Sequence, residues 1–249
     1  MPIIIKSDEE IAIMREAGRA VAEVLEMLTE AIRPGLVLKE LDSIVQREFD
    51  KRGVVPTFLG YRGYPARVCV SVNEEVVHGI PGERVLQEGE IVSMDLGATY
   101  KGFVGDAAVT VGVGRIGPQA ERLIAVTREA LERGIRAARA GARLGHVSHA
   151  IQTCAESQGF SVVREYVGHG VGRQMHEEPQ VPNFGSPDRG PVLRQGMVFA
   201  LEPMLSAGDW HTKRHDDNWT VSTLDGSLSA HFEHTIAITD SEAQILTLP

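Results

Sequence analysis

Apolar residues at positions 11, 14, 21, 24, 25 and 28 recur at helical spacing behind Ser7 and Glu10, a capping-box pair, and predict a helix that runs until Pro34-Gly35. A second helix is predicted over Leu38 to Lys51. From Val54 to Val113 the texture changes to short β-branched runs broken by Gly and Pro, which predicts strands and loops. Helical spacing returns with Pro118 as a first-turn residue and continues to Ala138, then again over Leu144 to Ser157. Beyond Gly159 the chain is strand-like to its end. The order of helix pair, strands, helix pair, strands is an α+β arrangement met twice. Laying Arg33 on Arg139 also matches Gly35 with Gly141, Leu38 with Leu144, Leu41 with Val147, Val45 with Ile151 and Gly53 with Gly159. This predicts one domain over residues 1–249 built from two pseudo-repeats, about 1–115 and 116–249, related by a pseudo-twofold axis with a site at their junction.

Within the first half, Ile91 to Leu96 and Phe103 to Ala107 read as two strands of a hairpin. Closure about Tyr100-Lys101 would set Asp95 directly opposite Asp106, a pairing that is destabilising unless something cationic lies between. Glu202 ends the apolar run Met197 to Leu201, Glu233 lies in a strand-like run, and His169 sits between glycines that would let the backbone turn sharply. Four carboxylates and an imidazole brought together repel one another unless cations are bound, so the set points to a two-metal hydrolase. His78 and His176 carry little weight by themselves.

Composition narrows the field. With 43% apolar and 24% charged residues the 249-residue chain is of ordinary globular type, and a net charge of −9 argues against a phosphate-binding surface built from Lys and Arg, so nucleic acid is not an expected direct partner. Cys69 and Cys154 stand in unrelated segments, which suits a reducing compartment, and no window reaches the ~20 apolar residues of a membrane span. A cytoplasmic protein without membrane contact is expected.

Taken in order, the blocks SVNEEVVHGIP, MDLGATYKGFVGDAAVT, YVGHGVGRQMHEEPQ, MVFALEPM and HFEHTIAIT resemble the type I methionine aminopeptidases over almost the whole chain. The resemblance implies the pita-bread fold, with a dinuclear site between two pseudo-symmetric halves. It implies that Asp106 and Glu233 bridge two divalent ions (Mn, Fe, Co or Zn), that Asp95 completes one position, and that His169 with Glu202 completes the other. A hydroxide held between the ions would attack the carbonyl of an N-terminal methionine, preferentially before a small second residue. Glu202 would shuttle the proton, His176 would stabilise the oxyanion, and His78 would contact the scissile amide nitrogen. The implied methionine pocket comprises Phe58, Tyr61, Tyr64, Cys69, Met175 and Trp219. Phe58 stands where a small residue such as cysteine is frequent and Met175 where phenylalanine is frequent, which puts pocket shape in question. Expected partners are peptide and nascent-chain N-termini, with transient ribosome association, acting as a monomer.

Overall fold

A computed structural model describes residues 2–249. Helix α1 spans Asp8–Ala31, α2 Leu38–Arg52, α3 Pro118–Ala137 and α4 Leu144–Ser157. The capping box is formed: Ser7 Oγ accepts from the Glu10 amide at 3.2 Å, and Glu10 Oε2 accepts from the Ser7 amide at 3.1 Å. Each helix lies within a residue of its predicted bounds, apart from α1, which stops three residues short of Pro34 because its cap forms at Ile32. The matched positions of the two halves adopt matched conformations. Gly35 and Gly141 have φ of 88° and 85°, and Gly53 and Gly159 have φ of 64° and 82°. The Gly35 amide donates to Leu86 O at 2.8 Å as the Gly141 amide donates to Leu193 O at 2.9 Å.

The helices pack on one face of a nine-stranded sheet whose central path runs Val55–Pro56, Ile91–Tyr100, Phe103–Gly112, Glu233–Ala237, Val198–Leu201, Gly168–Gly170, Glu177–Val181. Pairing is antiparallel along this path. The halves meet where Glu233 and His234 pair with Ala108 and Ala107. Two apolar clusters lie beneath: Val21, Leu28, Leu41, Phe49, Met94 and Leu96 among others in the first half, and Leu123, Ile151, Phe199, Leu201 and Ile236 among others in the second. Side chains alternate along a strand, so with Met94 and Leu96 on the helix side, Asp95 stands on the other face.

The hairpin register differs from the one expected. Asp95 pairs with Ala108 and Asp106 with Gly97, so the carboxylates are diagonal neighbours rather than directly opposed. The turn is the two-residue Lys101-Gly102, with φ of 47° and 78°, and it extends both strands to Tyr100 and Phe103. Positive φ at both turn residues matches the right-handed twist of the strands. The offset is two positions, an even number, so both aspartates keep the same face. A second correction concerns His169: its flanking glycines do not turn the chain but lie in a strand. A Cβ at Gly168 would stand 2.4 Å from Ala200 O, and one at Gly170 2.2 Å from Glu178 O. Glycine is needed there because backbones on both sides approach too closely for a side chain.

Candidate metal centre and active-site cavity

Strand pairing places Asp95, Asp106 and Glu233 on three successive strands, Glu202 just past the end of the next strand, Val198–Leu201, and His169 on the strand beyond that. All five side chains line one cavity of about 140 Å³. His169 Nε2 is 3.5 Å from Glu202 Oε1 and 3.9 Å from Asp106 Oδ2. Ligand atoms of Asp106, His169 and Glu233 lie within 4.8 Å of one another, as do those of Glu202, His231 and Glu233. Atoms bound to one ion at ~2.1 Å stand ~3 to 4 Å apart, so a cation would have to draw these atoms together by no more than about an ångström to complete a ligand shell.

Two features of the protein alone ask for a cation. The Nδ1 of His169 faces the Gly170 carbonyl at 3.0 Å. A carbonyl only accepts, so Nδ1 carries the proton, and the Nε2 lone pair is aimed at two carboxylate oxygens. Asp95 Oδ1, Asp106 Oδ1 and Glu233 Oε1 are buried without hydrogen-bond partners. A divalent ion satisfies both deficits.

Electrostatics agree. Burial, with Glu202 nearby, pushes Asp95 up to about 7, and burial pushes Glu202 up to about 8. Burial and then neighbouring carboxylates push Asp106 and Glu233 well above the usual range. Burial drives His169 down to about 3, which keeps it a neutral donor of its lone pair. Raised carboxyl values carry a defined sign. Their contribution to folding is fully present below the unfolded values near pH 4 and is lost as pH rises through 7 to 8. The metal-free protein is therefore expected to melt at progressively lower temperature from pH 5 to pH 8.5. Added Mn²⁺ should raise the melting temperature most at the alkaline end and release protons when bound near neutrality. Calorimetric titration in two buffers of different ionisation enthalpy measures that release, and zero protons at pH 7 contradicts the assignment.

Above the carboxylates stand the two remaining histidines of the expected set. His78 follows strand Glu75–Val77 with φ of 62°, a strained value for a non-glycine residue. It is held there by Gly79, where a Cβ would lie 2.2 Å from Val70 O, and whose carbonyl accepts from the Tyr64 hydroxyl at 2.8 Å. Burial, then the charge of other histidines, takes His78 down to about 4, so it is neutral. His176 stacks on Tyr61 with centroids 5.5 Å apart, its Nδ1 is 2.9 Å from the Tyr61 hydroxyl, and its ring is 4.2 Å from that of His169.

The six residues expected to hold a methionine side chain line the same cavity. Tyr64 meets Trp219 edge-on at 5.1 Å and Phe58 at 6.5 Å. Phe58 occupies room released by Gly97, where a Cβ would lie 2.8 Å from the Phe58 ring. The bulk of Phe58 is thus taken up on the strand side. Cys69 pairs with Asp95, and burial, then Asp95, pushes its thiol well above the ordinary range, which keeps it an apolar, uncharged wall. Two residues escaped the sequence reading: Arg62, which also lines the cavity, and His231, whose Nε2 is 3.5 Å from Glu202 Oε2. His231 lies two positions before Glu233, but nothing in its spacing told a ligand-side ring from a structural one.

Comparison with known proteins agrees with this geometry. The family model described as metallopeptidase family M24 matches residues 12–240. Methionine aminopeptidase 1 of Bacillus subtilis is 54% identical over 98% of this chain and 99% of its own length. A methionine aminopeptidase of Clostridium acetobutylicum is 51% identical over 99% of each chain. The crystal structure of methionine aminopeptidase from Thermotoga maritima superposes with a TM-score of 0.98 at 52% identity, each chain covered completely. A prolidase from Pyrococcus furiosus, at 24% identity and TM-score 0.81, shares the fold, and this chain covers 66% of it. Full-length identity above one half, together with the carboxylate and imidazole cluster on a pita-bread framework, establishes that the chain belongs to metallopeptidase family M24, among its methionine aminopeptidases.

Proposed function

We infer that this chain hydrolyses the first peptide bond of proteins and peptides that begin with methionine, preferring a small second residue, with two divalent ions held by Asp95, Asp106, His169, Glu202 and Glu233. Such ions supply a water of lowered pKa and polarise the substrate carbonyl. The remaining work belongs to side chains. Glu202 takes a proton at its carboxylate and returns it to the departing amine. A neutral His176 has its Nδ1 2.9 Å from the Tyr61 hydroxyl, and when it accepts from that hydroxyl it keeps its proton on Nε2 to offer to the developing oxyanion. His78, fixed by the Gly79 contact, faces the scissile amide nitrogen. Phe58, Tyr61, Tyr64, Cys69, Met175 and Trp219 enclose the methionine side chain, whose sulfur packs well on ring edges.

One observation carries this reading: an apolar aromatic pocket, two neutral histidines and a carboxylate cluster open into a single cavity. An oxygen-rich set with one imidazole suits Mn, Fe, Co or Zn. No helix among the described residues is long and apolar enough to cross a membrane, and both cysteines are free and buried. Free, buried thiols suit a reducing compartment, and from the likeness to methionine aminopeptidases we extend the reading to action in the cytoplasm on nascent chains, as a monomer in passing contact with the ribosome. The matched turns of the two halves support an origin by duplication, with pseudo-repeats of about 1–115 and 116–249 in one domain.

The test is chelation followed by metal readdition, assayed on Met-Gly and X-Pro peptides. Activity lost with chelator and restored by Mn²⁺ or Co²⁺ on Met-Gly is the expected result. Cleavage only before proline would instead assign the chain to prolidase chemistry, and metal binding without turnover would make it a binding module. Tyr61→Phe keeps the ring but removes the hydroxyl that fixes His176. It is expected to lower kcat about tenfold with KM for Met-Gly peptides little changed, and an unchanged kcat would separate Tyr61 from the chemistry.

A further inference from the structure

Glu202 is bracketed by two imidazoles. His169 Nε2 stands 3.5 Å from its Oε1, and His231 Nε2 stands 3.5 Å from its Oε2 and 4.0 Å from Glu233 Oε2. The two rings are not equivalent. His169 lines the cavity, and its Nδ1 proton is committed to the Gly170 carbonyl. His231 is 1% exposed, is absent from the cavity wall among the described residues, and has an Nε2 without a hydrogen-bond partner. It lies at the buried edge of the cluster, beside Glu202 and Glu233, with its Nε2 turned toward both carboxylates. Its backbone is pinned: the amide donates to Thr110 Oγ1 at 2.9 Å, and the carbonyl accepts from the same hydroxyl at 2.7 Å. Pairing with Met204 brings it beside the strand that follows Glu202.

We propose that His231 is a positioning residue for Glu202, its Nε2–H donating to Glu202 Oε2 and fixing the carboxylate in the orientation that holds metal and moves the proton. The proposal rests on the reading of Glu202 as a metal ligand and proton carrier. A neutral N–H suits this place. It would satisfy Glu202 Oε2 without adding a positive charge that would compete with bound cations. The present 3.5 Å exceeds hydrogen-bond length, and the contact is expected to shorten when a bound cation fixes Glu202.

The experiment compares His231→Gln, which keeps an N–H donor of similar reach, with His231→Leu, which fills the volume without one. Metal-free full-length protein is titrated with Co²⁺, and turnover of a Met-Gly peptide is measured at saturating Co²⁺. The Leu variant is expected to bind Co²⁺ ~10- to 100-fold more weakly and to lose kcat more than KM, while the Gln variant stays within about threefold of the parent in both. Nitrogen-15 NMR of the Zn²⁺-loaded parent should find the His231 proton on Nε2. A Leu variant equal to the parent in Co²⁺ affinity and kcat overturns the proposal. So does an unprotonated Nε2 in the Zn²⁺ form, with the Gln variant falling as far as Leu, since His231 would then be a direct ligand. Should the Leu variant not fold, the Gln variant and the NMR of the parent decide. Affinity and NMR need no turnover, so a failure of the peptidase reading is distinguishable from a failure of this one.

Discussion

Replacing Glu202 by Gln is expected to lower kcat/KM on a Met-Gly peptide about 10³-fold, the loss typical of removing a positioned proton carrier. The amide matches the carboxylate in size, and the backbone carbonyl of residue 202 keeps its 3.0 Å hydrogen bond from Asn183 Nδ2, so the strand end stays in place. What changes is chemistry. The group can no longer take a proton, and one anion is withdrawn from a buried set of four. Metal affinity therefore falls as well, and the two losses separate by assay at saturating Co²⁺ or Mn²⁺. The part that saturation restores is ligation, and the part that persists is proton transfer. A variant that regains near-normal turnover at saturating metal would move the proton role to another residue.

The sequence carried the helices almost to the residue because their signals are local: a capping box at Ser7, Pro118 in the first turn of α3, and left-handed glycines after α2 and α4. The hairpin register was read two positions off because Lys101-Gly102 is a weaker turn signal than Asn-Gly, and the run Thr99 to Gly102 allows several closures. Parity survived the slip, so Asp95 and Asp106 were still assigned to one face. The five carboxylate and imidazole positions were legible because such residues are costly inside strand-like apolar runs. Phe58, Tyr61, Tyr64, Met175 and Trp219 were a different case. Their positions follow no periodicity, and only the family resemblance drew them together. His231 was invisible for a related reason. Its meaning comes from strand pairing with Met204, a contact across the chain that no local pattern encodes.

Gly105→Ala is expected to destabilise the protein by about 3 kcal/mol, a large effect for one methyl group and the upper part of the usual cost of overpacking. A Cβ at Gly105 would lie 2.5 Å from the amide nitrogen of Gly18 and 2.7 Å from its Cα, while a Cβ at Gly18 would lie 2.3 Å from Leu246 O. Three backbones are thus stacked without side chains between them: the Phe103–Gly112 strand, α1 and the segment at Leu246. Ordinary contact for such atoms begins at 3.4 Å, so α1 must move off the sheet by most of an ångström, and the apolar stripe of Val21, Val24 and Leu28 moves with it. For a chain of this size that cost corresponds to a fall of ~6 to 12 °C in melting temperature. Gly82→Ala supplies the control: its nearest neighbour would be Ile80 O at 4.0 Å, and little change is expected. The damage should also reach the metal centre, because Asp106 is the next residue and its amide is held by Thr235 Oγ1 at 3.0 Å across the junction of the halves. Co²⁺ affinity should therefore weaken in Gly105→Ala but not in Gly82→Ala. A Gly105→Ala protein that melts within ~2 °C of the parent would show that α1 can yield where this packing says it cannot.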